Sequence, residues 1–531
     1  GKAKEREQGK ARHKRSACCG TREKMSDRMF CVAHHHPQHR VLLWVVAVLL
    51  VGVMVVCLWG GSPVGVQAMS AVQDEKDGLV ELFRLIDETP CKHNLEGHCV
   101  PGTVEIPPWL LQSFAFQKRL QMDLPLNQAM WPGTHNSYNA RSGGGTYGLE
   151  DNLLRKLLLD IGVQEDDIVI AQQEYAMTDQ LRMGVRHIML DAQWFAGKVR
   201  LCHAGNEFKW YDQIVDFFEK ILHRKFNYSS EQLGCSPFDM PWSEGVQELA
   251  DWIKAEENLQ EILFVELNCQ QNWDWGHKDE VMDPLIQMFG DLIFTPAELK
   301  NMTGGSSWPS MRTLLSLNKR VILGGDSGYA TYGGEWVHPT PFQPNYPAND
   351  ANNFFPLPMC DPHMNGNQYI TDYSGESVVY GPFYNGPRDM GLIVPSTLQH
   401  MLPCNVGSPK MDQVSPGLLA NMIWTWAPGQ PANPVNSTDN CVALSRTDGR
   451  WYTISCDDSN LFACQSTQNP DQWQALPGTL SGEGIGRDVP ACPIGTTFSV
   501  PRVPFHSYLL HQSLLAMSIT WGDYVIMDVS P

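Results

Sequence analysis

The chain has 531 residues, of which 43% are hydrophobic and 18% charged, and it carries 17 Trp. Such a composition builds a large core and excludes an intrinsically disordered chain. The formal net charge of −19 excludes the basic face that nucleic-acid binding requires.

The charge is uneven along the chain. Residues 1–40 hold 11 Lys/Arg against 4 Asp/Glu and read as a basic cytosolic tail. "VLLWVVAVLLVGVMVVCLW", Val41 to Trp59, follows without a charged residue. As a helix it would span about 28 Å, close to the roughly 30 Å hydrocarbon core of a bilayer. Asp74 and Glu75 lie beyond it. The sequence therefore predicts a transmembrane anchor over 41–60 and a single-pass membrane protein whose body is extracellular or lumenal. Cleavage near "VQA" at 66–68 would instead secrete the body. Export fits the cysteines, 11 of 15 lying beyond the anchor, which suggests disulfides and leaves at least one Cys over. Sequons at Asn227, Asn301 and Asn436 fit the same compartment.

Residues 61–125 read as a stalk with helical pieces, in which "CKHNLEGHC" brackets a loop that Cys91 and Cys99 would close. From 126 to 430 short apolar runs alternate with amphipathic stretches. The runs are "VRHIMLD" (185–191), "EILFVEL" (261–267) and "KRVILGG" (319–325); the stretches include 210–226 and 245–259. Apolar strands alternating with helices predict a parallel sheet covered by helices. The length suits an α/β fold of the (β/α)8 TIM-barrel type with insertions. Residues 326–390, rich in Gly, Pro, Asn and Tyr, predict a long irregular insertion, either a lid or a decorated surface. Residues 431–531 cluster Cys, Asp/Asn and Trp with no long helix apparent, and predict a small disulfide-rich β module.

The predicted strand ends carry chemistry. "MWPGTH" ends at His135 and Asn136, "VRHIMLD" at Asp191, "KVRLCHAG" presents His203, and "EILFVELN" ends near Glu266. In an α/β barrel these ends converge on one rim. Two imidazoles suit paired acid/base work. Asn136, Asp191 and Glu266 offer hard oxygens that suit Ca²⁺ or Mg²⁺, and such a cation would offset charge on a phosphoryl group. These parts suit phosphodiester cleavage. Trp273 and Trp275, in "QQNWDWGHKD", would contact a lipid substrate by stacking or insertion, or pack within their loop. "GGGTYG" at 143–148 is a rim loop or a phosphate cradle.

"GTHNSY" (133–138) followed by "QLRMGVRHIMLDAQWFAGKVRLCHAG" (180–205) resembles the X region of phosphatidylinositol-specific phospholipase C and its relatives, phosphodiesterases built on an α/β barrel. The resemblance spans residues 126–430 and is strongest over 131–205. It implies that His135 is a catalytic base and His203 an acid. It implies that Asn136, Asp191 and Glu266 are metal ligands, and it matches Arg186 to the family's arginine, here a candidate substrate contact. Calcium-dependent members carry a Glu where this chain has Met189, so one hard ligand is missing. Metal-independent members place an Arg where Asp191 stands. The implied partner is a phospholipid or related phosphodiester. The alternative is a catalytically inactive barrel used as a surface binding protein.

"NCVALSRTDGRWYTISCDDSNLFACQ" (440–465) resembles the closing half of a C-type lectin-like domain. That resemblance implies a Cys441–Cys456 bridge and leaves Cys464 for an upstream partner such as Cys404. The sugar-binding tripeptides of calcium lectins are absent, so a structural cap is expected, with glycan contact as the alternative.

Overall fold

The computed structural model describes residues 89–142, 172–202, 239–268, 277–325, 334–339, 393–432, 440–477, 492–518 and 522–527. Short breaks fall at 96, 196, 306, 405 and 457–460, and positions 235, 357, 360, 378–380, 385–386 and 389–390 are described separately. The chain divides into two compact units, residues 1–71 and 72–531, and every described residue belongs to the second.

The single-pass membrane protein expected from the sequence is corrected here. Among the described residues no helix is long and apolar enough to cross a membrane. The longest, α1 (Pro108–Gln121), has 14 residues and rises about 21 Å, short of the roughly 30 Å required. The segment 41–59 lies outside the described residues, as do the tail 1–40, the stretch 210–226, the loop 143–148, Asn227 and Asn436.

The first part of the unit is α/β, as the alternating pattern predicts. Its strands are β1 (Gly133–Thr134), β2 (His187–Phe195), β3 (Lys198–Leu201), β4 (Leu263–Asn268), β5 (Val321–Gly325), β6 (Val337–Pro339), β7 (Val378–Tyr380), the pair β8 (Asn385–Gly386) and β9 (Asp389–Met390), and β10 (Val406–Met411). Seven of them pair in the order β6-β5-β4-β2-β1-β10-β7, all parallel. Among the described residues no pairing joins β6 to β7. Between strands run α2 (Met177–Arg182), α3 (Trp242–Lys254), α4 (Lys278–Phe289), α5 (Pro296–Thr303), α6 (Met311–Ser316), α7 (Pro395–Met401) and α8 (Pro416–Leu419).

The period of two sorts the sheet's faces. Ile188, Leu190 and Ala192 of β2 and Leu263, Val265 and Leu267 of β4 pack into the main core. Against them lies the buried stripe of α3, Val246, Leu249, Ala250 and Ile253, at helical spacing. The alternate residues, His187, Asp191, Glu266, Ser408 and Lys410, belong to the other face, where hydrogen bonds join His187, Glu266, Ser408 and Lys410.

"KVRLC" differs from expectation. It is not another parallel strand but β3, antiparallel to the end of β2, with Ala192 opposite Leu201. The short turn at Gly197, φ 80°, is long enough for a hairpin and far too short for a parallel crossover. β2 accordingly runs past Asp191 to Phe195.

The C-terminal part is a six-stranded sheet of β11 (Asn440–Ser445), β12 (Trp451–Ser455), β13 (Leu461–Ser466), β14 (Trp473–Pro477), β15 (Thr496–Phe498) and β16 (Tyr524–Ile526). It also holds a helix absent from the sequence reading, α9 (Pro504–Ala516). Apolar residues occur all round α9, so no amphipathic stripe announces it. Trp451 is fully buried between Trp424, Trp426 and Phe116 of α1, with ring centroids 5.6, 6.2 and 5.9 Å away.

Disulfides join Cys91–Cys99, Cys202–Cys235, Cys360–Cys404, Cys441–Cys456 and Cys464–Cys492, and they fit an oxidising compartment. The suggested Cys404–Cys464 pairing is corrected. β13 pairs with β15, and the turn leading into β15 brings Cys492 to Cys464, while Cys404 bonds Cys360.

His338 on β6 is buried, and its Nε2 donates to the Phe294 carbonyl at 2.8 Å. Burial pushes its pKa down to about 4. The unfolded ring takes a proton near pH 6.5 that the folded ring refuses until about pH 4, so stability is lost as pH falls through that window. We expect a loss of up to about 3 kcal/mol over this window, and urea unfolding of His338→Phe should lack this part of the acid dependence.

Candidate active site

β1 sits between β2 and β10, with Thr134 opposite both Ile188 and Met411. Its glycine is required by packing: a Cβ on Gly133 would lie 3.0 Å from Ser408 Oγ, 3.1 Å from the Pro409 carbonyl and 3.2 Å from His187 Cβ. The chain then turns. Asn136 takes φ 41°, a left-handed conformation that Asn tolerates better than most residues. The His135 N–H donates to the Met411 carbonyl at 3.1 Å and the Ser137 N–H to the Met189 carbonyl at 3.0 Å. The turn is thus pinned to both neighbouring strands.

That pinning places His135, 1% exposed, with Nδ1 3.1 Å from Asp412 Oδ1 at the end of β10. Burial pushes the Asp412 carboxyl well above the usual carboxylate range. Gln173 ties the same two strand ends together. Its Nε2 donates to the carbonyls of His135 and Met411, both at 2.8 Å, and its Oε1 accepts from the Val414 N–H at 3.2 Å. Asn136 Nδ2 donates to Gln172 Oε1 at 3.1 Å, and Asn139 Nδ2 donates to the same oxygen. Asn136 Oδ1 is buried with no hydrogen-bond partner among the described residues. Tyr138 donates to Asp191 Oδ2 at 3.0 Å.

Glu266 lies deeper on the same face. Lys410 Nζ is 2.9 Å from both of its oxygens, and His187 Nε2 is 2.8 Å from Oε2. Ser408 Oγ is 2.8 Å from His187 Nδ1. Burial alone would raise the Glu266 carboxyl, but Lys410 and the His187 hydrogen bond hold it well below its ordinary value. Burial lowers the His187 pKa, so the ring is neutral. It donates from Nε2 to Glu266 and accepts from Ser408 at Nδ1, and Lys410 carries the counter-charge.

The structure brings His135, Asn136 and Asp191 together at the carboxyl end of the central strands. Arg186 stands apart, just ahead of β2 at the amino end, 2.9 Å from Glu261 and stacked 4.7 Å over Trp252. There it also donates to the carbonyls of Leu181 and Val185. His203, Trp273 and Trp275 lie outside the described residues. Asp412, Lys410, Gln173 and Tyr138 were not singled out from the sequence. His187 was legible in principle, because "HIMLD" puts it two and four residues from Met189 and Asp191 on one strand face.

Asn136, Asp191 and Glu266 do not fit a hard divalent ion. Glu266 is engaged by Lys410 and His187, and Asp191 Oδ2 accepts from Tyr138. Among the described residues, the groups of three His, Cys, Asp or Glu close enough to share an ion are Cys91–His93–Cys99 and Cys202–Cys235–Asp239. Their cysteines are disulfide-bonded, and neither group includes these residues.

Fold and site define an α/β protein with a buried Asp–His pair at the carboxyl end of a parallel sheet. No family model matches the chain. An uncharacterized protein of Mycobacterium tuberculosis (strain H37Rv) is 22% identical over 443 residues, covering 79% of this chain and 80% of that protein. Maintenance of telomere capping protein 6 of Candida albicans (strain WO-1) is 31% identical over 116 residues, 17% of this chain and 18% of that protein. Among solved structures, the phosphatidylinositol-specific phospholipase C from Listeria monocytogenes aligns with a TM-score of 0.33 at 13% identity, covering 59% of this chain and 97% of that one. A calcium-dependent phosphoinositol-specific phospholipase C from Pseudomonas sp. aligns with a TM-score of 0.29 at 14% identity, covering 58% and 95%.

Gln173→Ala should remove three buried hydrogen bonds at once, to the carbonyls of His135 and Met411 and to the Val414 N–H. We expect a loss of about 2–4 kcal/mol of unfolding free energy, measured by denaturant titration; a loss below about 0.5 kcal/mol would show that Gln173 does not hold the strand ends.

Proposed function

We propose that this chain is a phosphodiesterase acting on a phospholipid or related phosphodiester, with the parallel sheet closed into a (β/α)8 barrel. The observation that carries the reading is the buried His135–Asp412 pair. Asp412 holds Nδ1 and so orients the ring, and Nε2 is assigned the proton of an attacking hydroxyl. Burial leaves Asp412 without cheap solvation, and the imidazolium formed by proton abstraction is the counter-charge it lacks.

His203 is assigned the acid that protonates the leaving oxygen, on the sequence pattern "KVRLCHAG". A substrate with a hydroxyl beside the phosphorus yields a cyclic phosphate; without one, water attacks. Asn136 Oδ1, a buried acceptor with no hydrogen-bond partner among the described residues, is assigned the role of receiving a substrate hydroxyl. The C-terminal sheet serves as a structural cap, anchored through Trp451 on Phe116 and Trp426.

The test is turnover of phosphatidylinositol, phosphatidylcholine, sphingomyelin and glycerophosphodiesters, with products identified by mass. His135→Ala should lower kcat/KM by ~10² or more. Asp412→Asn keeps the shape and removes the group that can become the counter-charge to the imidazolium, and should cost ~10-fold or more. Equal turnover in wild type and both variants would remove the assignment.

A further inference from the structure

We infer that Lys410 is the resident cation of this site: its ammonium holds Glu266 where a divalent ion would otherwise bind, so the site operates without Ca²⁺ or Mg²⁺. The inference deepens the reading above and rests on it for the identity of the site.

Four observations converge. First, Lys410 is 1% exposed, and a lysine is almost never buried so completely unless paired. Its pairing is symmetrical, 2.9 Å to each oxygen of Glu266. Second, Glu266 is engaged from a second side by His187, which donates from Nε2 to the carboxylate while its Nδ1 faces the Ser408 hydroxyl. A carboxylate accepting three hydrogen bonds, one of its donors an ammonium, is a poor ligand for a further cation. Third, a divalent ion on Glu266 would lie within a few ångströms of Lys410 Nζ, a like-charge contact made costlier by burial. Fourth, the remaining candidates are too few. Met189 replaces one hard ligand, Asp191 Oδ2 already accepts from Tyr138 so that this carboxylate could offer at most Oδ1, and Asn136 Oδ1 is one neutral oxygen. Ca²⁺ takes six to eight.

The three strands involved explain why the arrangement is stable. Lys410 comes from β10, Glu266 from β4 and His187 from β2, so one cluster of charge spans the sheet across β1. An ion binding there would have to displace Lys410 and leave its charge buried without a partner.

The test reads binding through unfolding rather than turnover. Thermal unfolding of the full chain is recorded in EDTA and in about 5 mM CaCl2 or MgCl2, for wild type, Glu266→Gln and Lys410→Met. Wild type and Glu266→Gln should respond equally to either ion, within about 1 °C. Lys410→Met, with Glu266 released, should melt lower in EDTA and regain part of the loss in CaCl2. A saturable rise of about 2 °C or more in wild type that Glu266→Gln abolishes would overturn the inference. So would a Lys410→Met protein that folds but gains nothing from either ion. Should Lys410→Met not fold, wild type against Glu266→Gln decides alone. Failure of the phosphodiesterase reading shows separately, as no turnover on any substrate.

Discussion

A carboxylate taken out of water is tolerated only where positive charge or strong donors meet it. Glu266, half-buried against the fully buried Lys410 and His187, imposes that requirement on the polar face of the sheet. Lys410 and His187 meet it from strands on either side of β1. Register follows, because a slip of one residue would turn Lys410 or Glu266 to the opposite face and leave the other a lone buried charge. The helix-facing side of the sheet is held by apolar packing, which is non-directional; the other side is held by bonds that accept one geometry.

That fixed register is what aligns the strand ends. Asp412 lies two residues beyond Lys410, and His135 follows a strand whose glycine admits no side chain between β2 and β10. Gln173 then binds the two ends to each other. The Asp–His pair is therefore a product of the layers beneath it. A deeper, charged layer sets the spacing, and an amide clamp above it sets the angle.

Legibility in the sequence followed the apolar face. β2, β4 and β5 were readable because their helix-facing residues are Val, Ile and Leu at strand spacing. The GTHNSY turn was readable as a site because His and Asn follow a glycine at a strand end. β10 was not, since "VGSPKM" has Gly, Ser, Pro and Lys where a strand usually shows β-branched residues. Its inward residues are polar because they satisfy Glu266 and His187, partners that no local pattern announces. Asp412 and Lys410 were hidden for that reason. Arg186 was legible as a residue but not in its place: its charge serves Glu261 at the amino end of the strand. The membrane reading came from composition at 41–59, and the described helices give it no support.

Trp451 has a consequence for the chain's architecture. Its ring belongs to the C-terminal sheet, yet three of its aromatic neighbours, Phe116, Trp424 and Trp426, come from segments that precede that sheet. Severing the chain between the two parts would bare an oily seam on each side, rather than release two tidy halves. The C-terminal sheet is thus not a detachable appendage. It is mortared into the wall of the α/β part through the Trp451 ring.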